Sequence, residues 1–153
     1  RKEEGMLKRE ITFGELTVGS EAMEPMEVEL TPALVQWYAH ALDSPNDDWY
    51  RYGSPLGEPI VPPAVIENLA LCRAYRISAP GGSVHAWSEV QHIKPVKVGT
   101  TIRTKSVVTD KYEKRGKFYD VWVVTVRDES GDEVLVAKYS ECALPEGQKV
   151  RYR

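Results

Sequence analysis

The chain has 153 residues, 42% of them hydrophobic and 28% charged, which fits one ordinary globular domain with a sizeable core and excludes collagen-like or low-complexity architecture. With 20 basic against 23 acidic residues the net charge is -3, too little positive field for phosphate-backbone binding, so nucleic acid is not expected as a partner. No apolar run approaches the roughly 18–20 residues of a membrane span, and the opening Arg1-Lys2-Glu3-Glu4 offers no signal-type apolar stretch, so a cytoplasmic protein is expected.

In chain order, residues 16–30 alternate weakly and carry Gly19 and Pro25, reading as an interrupted strand. A helix start follows: Thr31 can cap, Pro32 suits the first turn, and Leu34, Trp37, Tyr38, Ala41 and Leu42 recur on one face. Asp43-Ser44-Pro45 ends it. Residues 43–63 are rich in Asp, Asn, Pro, Gly and aromatics and read as a long ordered loop, the first place to look for chemistry. After Pro62-Pro63, residues 64–76 form a helix that is apolar on nearly all sides and must be buried. The rest reads as strands at 84–93, 101–111, 117–128 and 133–144, with turns near Gly116 and Gly131 making the last three an antiparallel meander. The strand 117–128 is apolar on both faces, so it needs the helix on one and a second subunit on the other. The expected class is α+β, with a curved antiparallel sheet around one apolar helix. Residues 13–145 make this domain, between a tail at 1–12 and a basic tail at 146–153.

Cys72 and Cys142 are the two cysteines, with no CxxC pair and no clustered histidines, so two reduced, buried thiols are expected and a metal site is not.

The order of a short amphipathic helix, the Asp/Asn/Pro loop closing in Gly57-Glu58-Pro59-Ile60-Val61-Pro62-Pro63, an apolar helix and then Lys94-Pro95-Val96-Lys97-Val98-Gly99 resembles the MaoC-like hydratase/dehydratase branch of the hot-dog superfamily. The similarity covers about 13–144 and is nearest to the N-terminal half of fatty-acid-synthase-type dehydratases. The resemblance implies a hot-dog fold, a homodimer or a heterodimer with another hot-dog subunit, and binding of acyl-CoA or acyl-ACP. It implies no cofactor beyond that thioester, which is the substrate.

In active members a Gly-Asp-x-Asn-Pro-x-His pattern supplies a carboxylate and an imidazole that both reach one water. By that resemblance Asp43 is the acid/base carboxylate, and Asp48 stands where the histidine belongs. Matching Asn46 to the motif asparagine instead places Ser44 and Trp49 in the dyad, so neither register supplies the histidine. His40 lies one helical turn before Asp43, while His85 and His92 share a later strand and read as structural. A family His-Gly step is replaced by Pro62-Pro63, and proline has no N–H to give, so the charge-stabilising amides start at Ala64. Substrate contacts are expected from Trp49, Tyr50, Arg51, Pro63, Ala64 and Asn68, the last as an amide on a buried helix that must find partners. The bland readings stand beside these: Asp43 as a turn former, Asp47-Asp48 as solvated acids, the aromatics as packing, and Arg51 and the basic hairpin Lys111, Lys114, Arg115 and Lys117 as solvated charge. Three functions remain open: an enoyl-thioester hydratase or 3-hydroxyacyl dehydratase, a non-catalytic subunit completing a partner's acyl pocket, and a thioesterase using Glu67 or Asp43.

Overall fold

The computed structural model describes residues 11–21, 25–71, 77–78 and 83–143. In chain order the elements are β1 (Ile11–Thr12), β2 (Met26–Glu29), α1 (Pro32–Leu42), α2 (Asp47–Arg51), α3 (Pro63–Leu71), β3 (Ile77–Ser78), β4 (Ser83–His92), β5 (Thr101–Lys114), β6 (Lys117–Asp128) and β7 (Glu133–Ala143). Five strands form one antiparallel sheet in the order β2-β5-β6-β7-β4, while β1 and β3 make a short parallel pair.

Turn chemistry sets the meander. Arg115 and Gly116 both have positive φ, 55° and 70°, the handedness a two-residue hairpin needs to match strand twist. At the next turn Asp128 Oδ1 accepts from the Ser130 and Asp132 amides at 3.0 Å each, and Gly131 takes φ 87°. One face of β6 is then the core: Trp122, Val124 and Val126 are buried against Val65, Ile66 and Ala70 of α3 and against Tyr139, Ala137 and Leu135 of β7. On the other face Val121 is buried and Val123 and Thr125 are half-buried.

α1 starts where the sequence predicts. Thr31 takes extended dihedrals, its hydroxyl accepts from the Leu34 amide at 3.3 Å, and Pro32 follows. Thr31→Ala is expected to cost about 1 kcal/mol, read as a lower urea midpoint with an unchanged slope.

Four expectations need correction. Among the described residues of the segment 16–30 only Met26–Glu29 is strand; 13–20 is largely turn, held by Gly19 N–H donating to Val108 O at 2.8 Å. The segment 43–63 is not wholly loop: Asp47–Arg51 form the short helix α2, with two acids in its first turn, an arginine in its last and an Arg51 Nε–Asp47 Oδ2 ion pair at 2.6 Å, all favourable to the helix dipole. The strand carrying His85, Trp87 and Glu89 is not half-buried but an exposed sheet edge, because β4 pairs only with β7. Asn68 is exposed rather than buried. Of the predicted helix 64–76 the described part is α3; the remaining 72–76, with Cys72, and the tails at 1–10 and 144–153 lie outside the described residues. Cys142 is buried and free. Among the described residues no helix is long and apolar enough to cross a membrane.

Candidate functional site

The segment before α3 is zipped onto the β4–β5 connection. Val61 N–H donates to Val96 O at 2.8 Å and Val98 N–H to Pro59 O at 3.0 Å, with a Lys97 Nζ–Glu58 Oε2 ion pair at 2.7 Å alongside, while Ile60 N–H ties the segment to α2 by donating to Trp49 O at 3.0 Å. These bonds bring Pro62-Pro63 beside Lys94-Pro95, the two proline steps that interrupt the strand and helix pattern in the sequence. Between them opens a cleft of about 270 Å³ lined by Val61, Pro63, Ile66, Ile93, Pro95 and Val96, with His92 and Lys94 at its polar side. Lys94 Nζ is 2.7 Å from both Asp128 and Asp132, which fixes the lip of the cleft to the β6–β7 turn. Those hydrogen bonds hold the Lys94 ammonium above its ordinary pKa and the Asp128 carboxyl below its own.

One turn into α3, Glu67 Oε2 lies 3.9 Å from His92 Nε2, and both side chains are about one-third exposed. At that separation the two groups do not bond directly, but a single water can lie within hydrogen-bond distance of each. Behind Glu67, the Tyr139 phenol is buried with its oxygen unpartnered among the described residues; burial first, and the Glu67 charge second, push its pKa well up, so it stays protonated. Pro62 and Pro63 have no N–H, and Ala64 supplies the first amide at the positive end of α3.

The residues expected to form the site fall into separate groups. Asp43 ends α1 in the left-handed conformation (φ 46°, ψ 47°), its N–H donating to His40 O. With His40, Ser44, Asp47 and Arg51 it lines a cavity of about 90 Å³ that shares no residue with the α3 cleft. Asp48 is exposed, and its carbonyl accepts from the Tyr52 and Gly53 amides. Trp49 is exposed, while Tyr50 is buried in the core with its hydroxyl 3.5 Å from Ser44 Oγ. Arg51 is held by Asp47. Pro63 alone of the expected substrate contacts lines the cleft; Ala64 and Asn68 are exposed on α3. Sequence reasoning weighed Glu67 only as a hydrolytic carboxylate and His92 only as a strand residue. The position of His92 at the last residue of a strand, just before Lys-Pro, was the available signal that its side chain stands at a sheet end rather than in a ladder.

No protein-family model and no curated protein matches this sequence. Solved structures do match. The chain is similar to a monoamine oxidase regulatory protein from Archaeoglobus, with TM-score 0.74 at 18% identity over 95% of this chain and 99% of that one. It is similar to the R-hydratase PhaJ1 from Pseudomonas aeruginosa, with TM-score 0.68 at 16% identity over 94% of each. It is also similar to the HadBC 3R-hydroxyacyl-ACP dehydratase complex from Mycobacterium tuberculosis, with TM-score 0.65 at 15% identity over 82% of this chain and 96% of that one. At such identities what is shared is the fold, and it is the α+β hot-dog fold.

Proposed function

We propose that this hot-dog chain binds an acyl thioester, of coenzyme A or of acyl carrier protein, with the acyl group in the α3 cleft, and that it adds water to or removes it from the bond next to the thioester. The observation that carries the reading is a carboxylate 3.9 Å from an imidazole, with the imidazole lining an apolar cleft. Neighbours named R-hydratase and hydroxyacyl-ACP dehydratase support the choice of reaction over others that the fold could host.

In hydration the water oxygen bonds to the β-carbon as His92 takes one of its protons, with Glu67 holding the water and the imidazole in line. The proton then passes from His92 to Glu67 and from Glu67 to the α-carbon, so the pair ends the cycle as it began. Negative charge that gathers on the thioester oxygen faces the positive end of α3, where Ala64 is the first donor. Glu67 and His92 thereby take the place of the motif dyad, which Asp43 and Asp48 do not complete.

A second reading rests on the same carboxylate: water activated by Glu67 can attack the thioester carbon itself and release a thiol. One assay separates the two. Pure protein with crotonyl-CoA is expected to lose the enoyl absorbance without releasing free thiol; thiol release instead makes the chain a thioesterase, and no turnover of any enoyl-CoA, short or long, overturns the catalytic proposal.

Assembly with another hot-dog subunit, the same chain or a different one, follows from β4. Nine of its ten residues are exposed, Val84 and Trp87 among them, with Val90 half-buried against the core, and HadBC is itself a complex. Sedimentation of the same preparation is expected to show a dimer or larger species, and activity that appears only on adding a second hot-dog protein assigns this chain the role of pocket-completing subunit.

A further inference from the structure

A second concave site lies at the far end of the sheet from the α3 cleft, on the opposite face from the core. It is a cavity of about 480 Å³ walled by Trp87, Tyr112, Lys114, Arg115, Lys117 and Tyr119, with Ala86 at its edge. Its floor is aromatic: Tyr112 and Tyr119 pair across β5 and β6 with ring centroids 5.0 Å apart and planes within 8°. Trp87 is 38% exposed, and Lys138 Nζ lies 5.7 Å from its ring centroid. Its rim is cationic. Lys114 and Lys117 occupy the next rung on the same face, directly opposite one another, where like charges repel. Arg115 sits at φ 55°, a conformation that Asn, Asp or Gly adopts with less strain. None of these three cations has an ion-pair partner among the described residues. The acid on that face of β5, Asp110, lies beyond the tyrosine rung.

Two features of this hairpin run against its own stability, the facing lysines and the strained arginine, and both place positive charge at one mouth above exposed rings. We infer that the cavity binds a nucleoside phosphate, the base stacking on the aromatic floor and the phosphates bridging Lys114, Arg115 and Lys117. A planar base needs flat aromatic faces, and a di- or bisphosphate needs several donors that converge without a carboxylate among them. The cavity is of small-molecule size, and its charge is confined to one hairpin tip on a chain of net charge -3, which disfavours a polynucleotide. The nucleotide end of coenzyme A and a free nucleotide share this chemistry. The site goes beyond the function proposed for the α3 cleft, since no residue lines both.

The test titrates the full chain with ADP, adenosine 3′,5′-bisphosphate and inorganic pyrophosphate, followed by calorimetry. Saturable binding of a nucleotide is expected, weakening as salt is raised, with pyrophosphate alone at least about ten-fold weaker because it lacks the ring. Arg115→Asn is the informative variant: asparagine suits the left-handed turn, so the melting temperature holds or rises while nucleotide affinity falls about ten-fold. Lys114→Ala with Lys117→Ala is expected to lower affinity further in a folded protein. No saturation by either nucleotide, pyrophosphate binding as tightly as ADP, or undiminished affinity in Arg115→Asn each overturns the inference. ADP that competes with coenzyme A marks the site as a holder of the coenzyme's nucleotide end, and ADP binding unaffected by coenzyme A marks it as a site for free nucleotide. Turnover of an enoyl-pantetheine thioester, which has no nucleotide, reports on the α3 cleft separately, so either proposal can fail while the other stands.

Discussion

Glu67→Gln is expected to lower crotonyl-CoA hydration by about 10²–10⁴-fold, the range over which a positioned acid/base group acts, with folding unchanged because the side chain is one-third exposed. Glutamine keeps the shape and can still hold a water but cannot exchange the proton, so thioester binding should stay near normal while turnover falls. His92→Gln is expected to give a loss of similar size, and the double variant little more than either, because the two groups act on one water. Asp43→Asn is the contrast. Asp43 lines a different cavity, and its carboxylate is not part of the cleft, so hydration should persist in that variant. Activity abolished by Asp43→Asn and intact in Glu67→Gln would return the chemistry to the end of α1.

The second large effect is on stability. Asp120 on β6 is 1% exposed, paired in register with Glu141 of β7 on one side and Lys111 of β5 on the other. Lys111 turns its ammonium to the Phe13 and Gly14 carbonyls, at 3.4 and 3.5 Å, and His85 lies 3.9 Å from Glu141 rather than beside Asp120. One carboxyl oxygen of Asp120 has no hydrogen-bond partner among the described residues. Burial, with the Glu141 charge adding to it, lifts the Asp120 carboxyl from 3.8 to about 6. A raised acid binds more protons in the folded than in the unfolded chain between those two values, so stability falls as pH rises through that window and stays reduced above it. At about 1.4 kcal/mol for each pH unit the penalty at neutral pH is at most about 3 kcal/mol. Asp120→Asn, neutral throughout, is expected to raise the melting temperature at pH 7.5 by several degrees and to flatten its slope between pH 4 and 6. A variant that melts lower at pH 7.5 with the slope intact would show that the ionised carboxylate is satisfied in the fold.

What was legible in the sequence was local or periodic. Thr31-Pro32 names a helix start because a cap and a missing N–H act within one turn, and Arg115-Gly116 and Gly131 name hairpins because positive φ is a property of single residues. That β6 is apolar on both faces could be read from Val121, Trp122, Val123, Val124 and Val126, but not which face meets α3. Exposure of β4 could not: Val84, Ala86, Trp87 and Val90 have the composition of a covered strand, and only strand order shows that β4 stands at an edge. The site divided along the same line. A motif match looks for its partner a few residues away, so it stopped at Asp43 and Asp48, whereas the Glu67–His92 pair exists only because 59–61 bond to 96–98 and fold the helix start against the strand end. The α2 helix escaped notice since five residues carry no periodicity; its acids and arginine were visible, but only as solvated charge.

A long strand with one side of its backbone unsatisfied is also a template. Any extended segment, from a misfolded copy or an unrelated chain, can be zipped onto Ser83–His92 by the same ladder that would join a proper mate. Production of the lone chain therefore leaves that flank open to self-association.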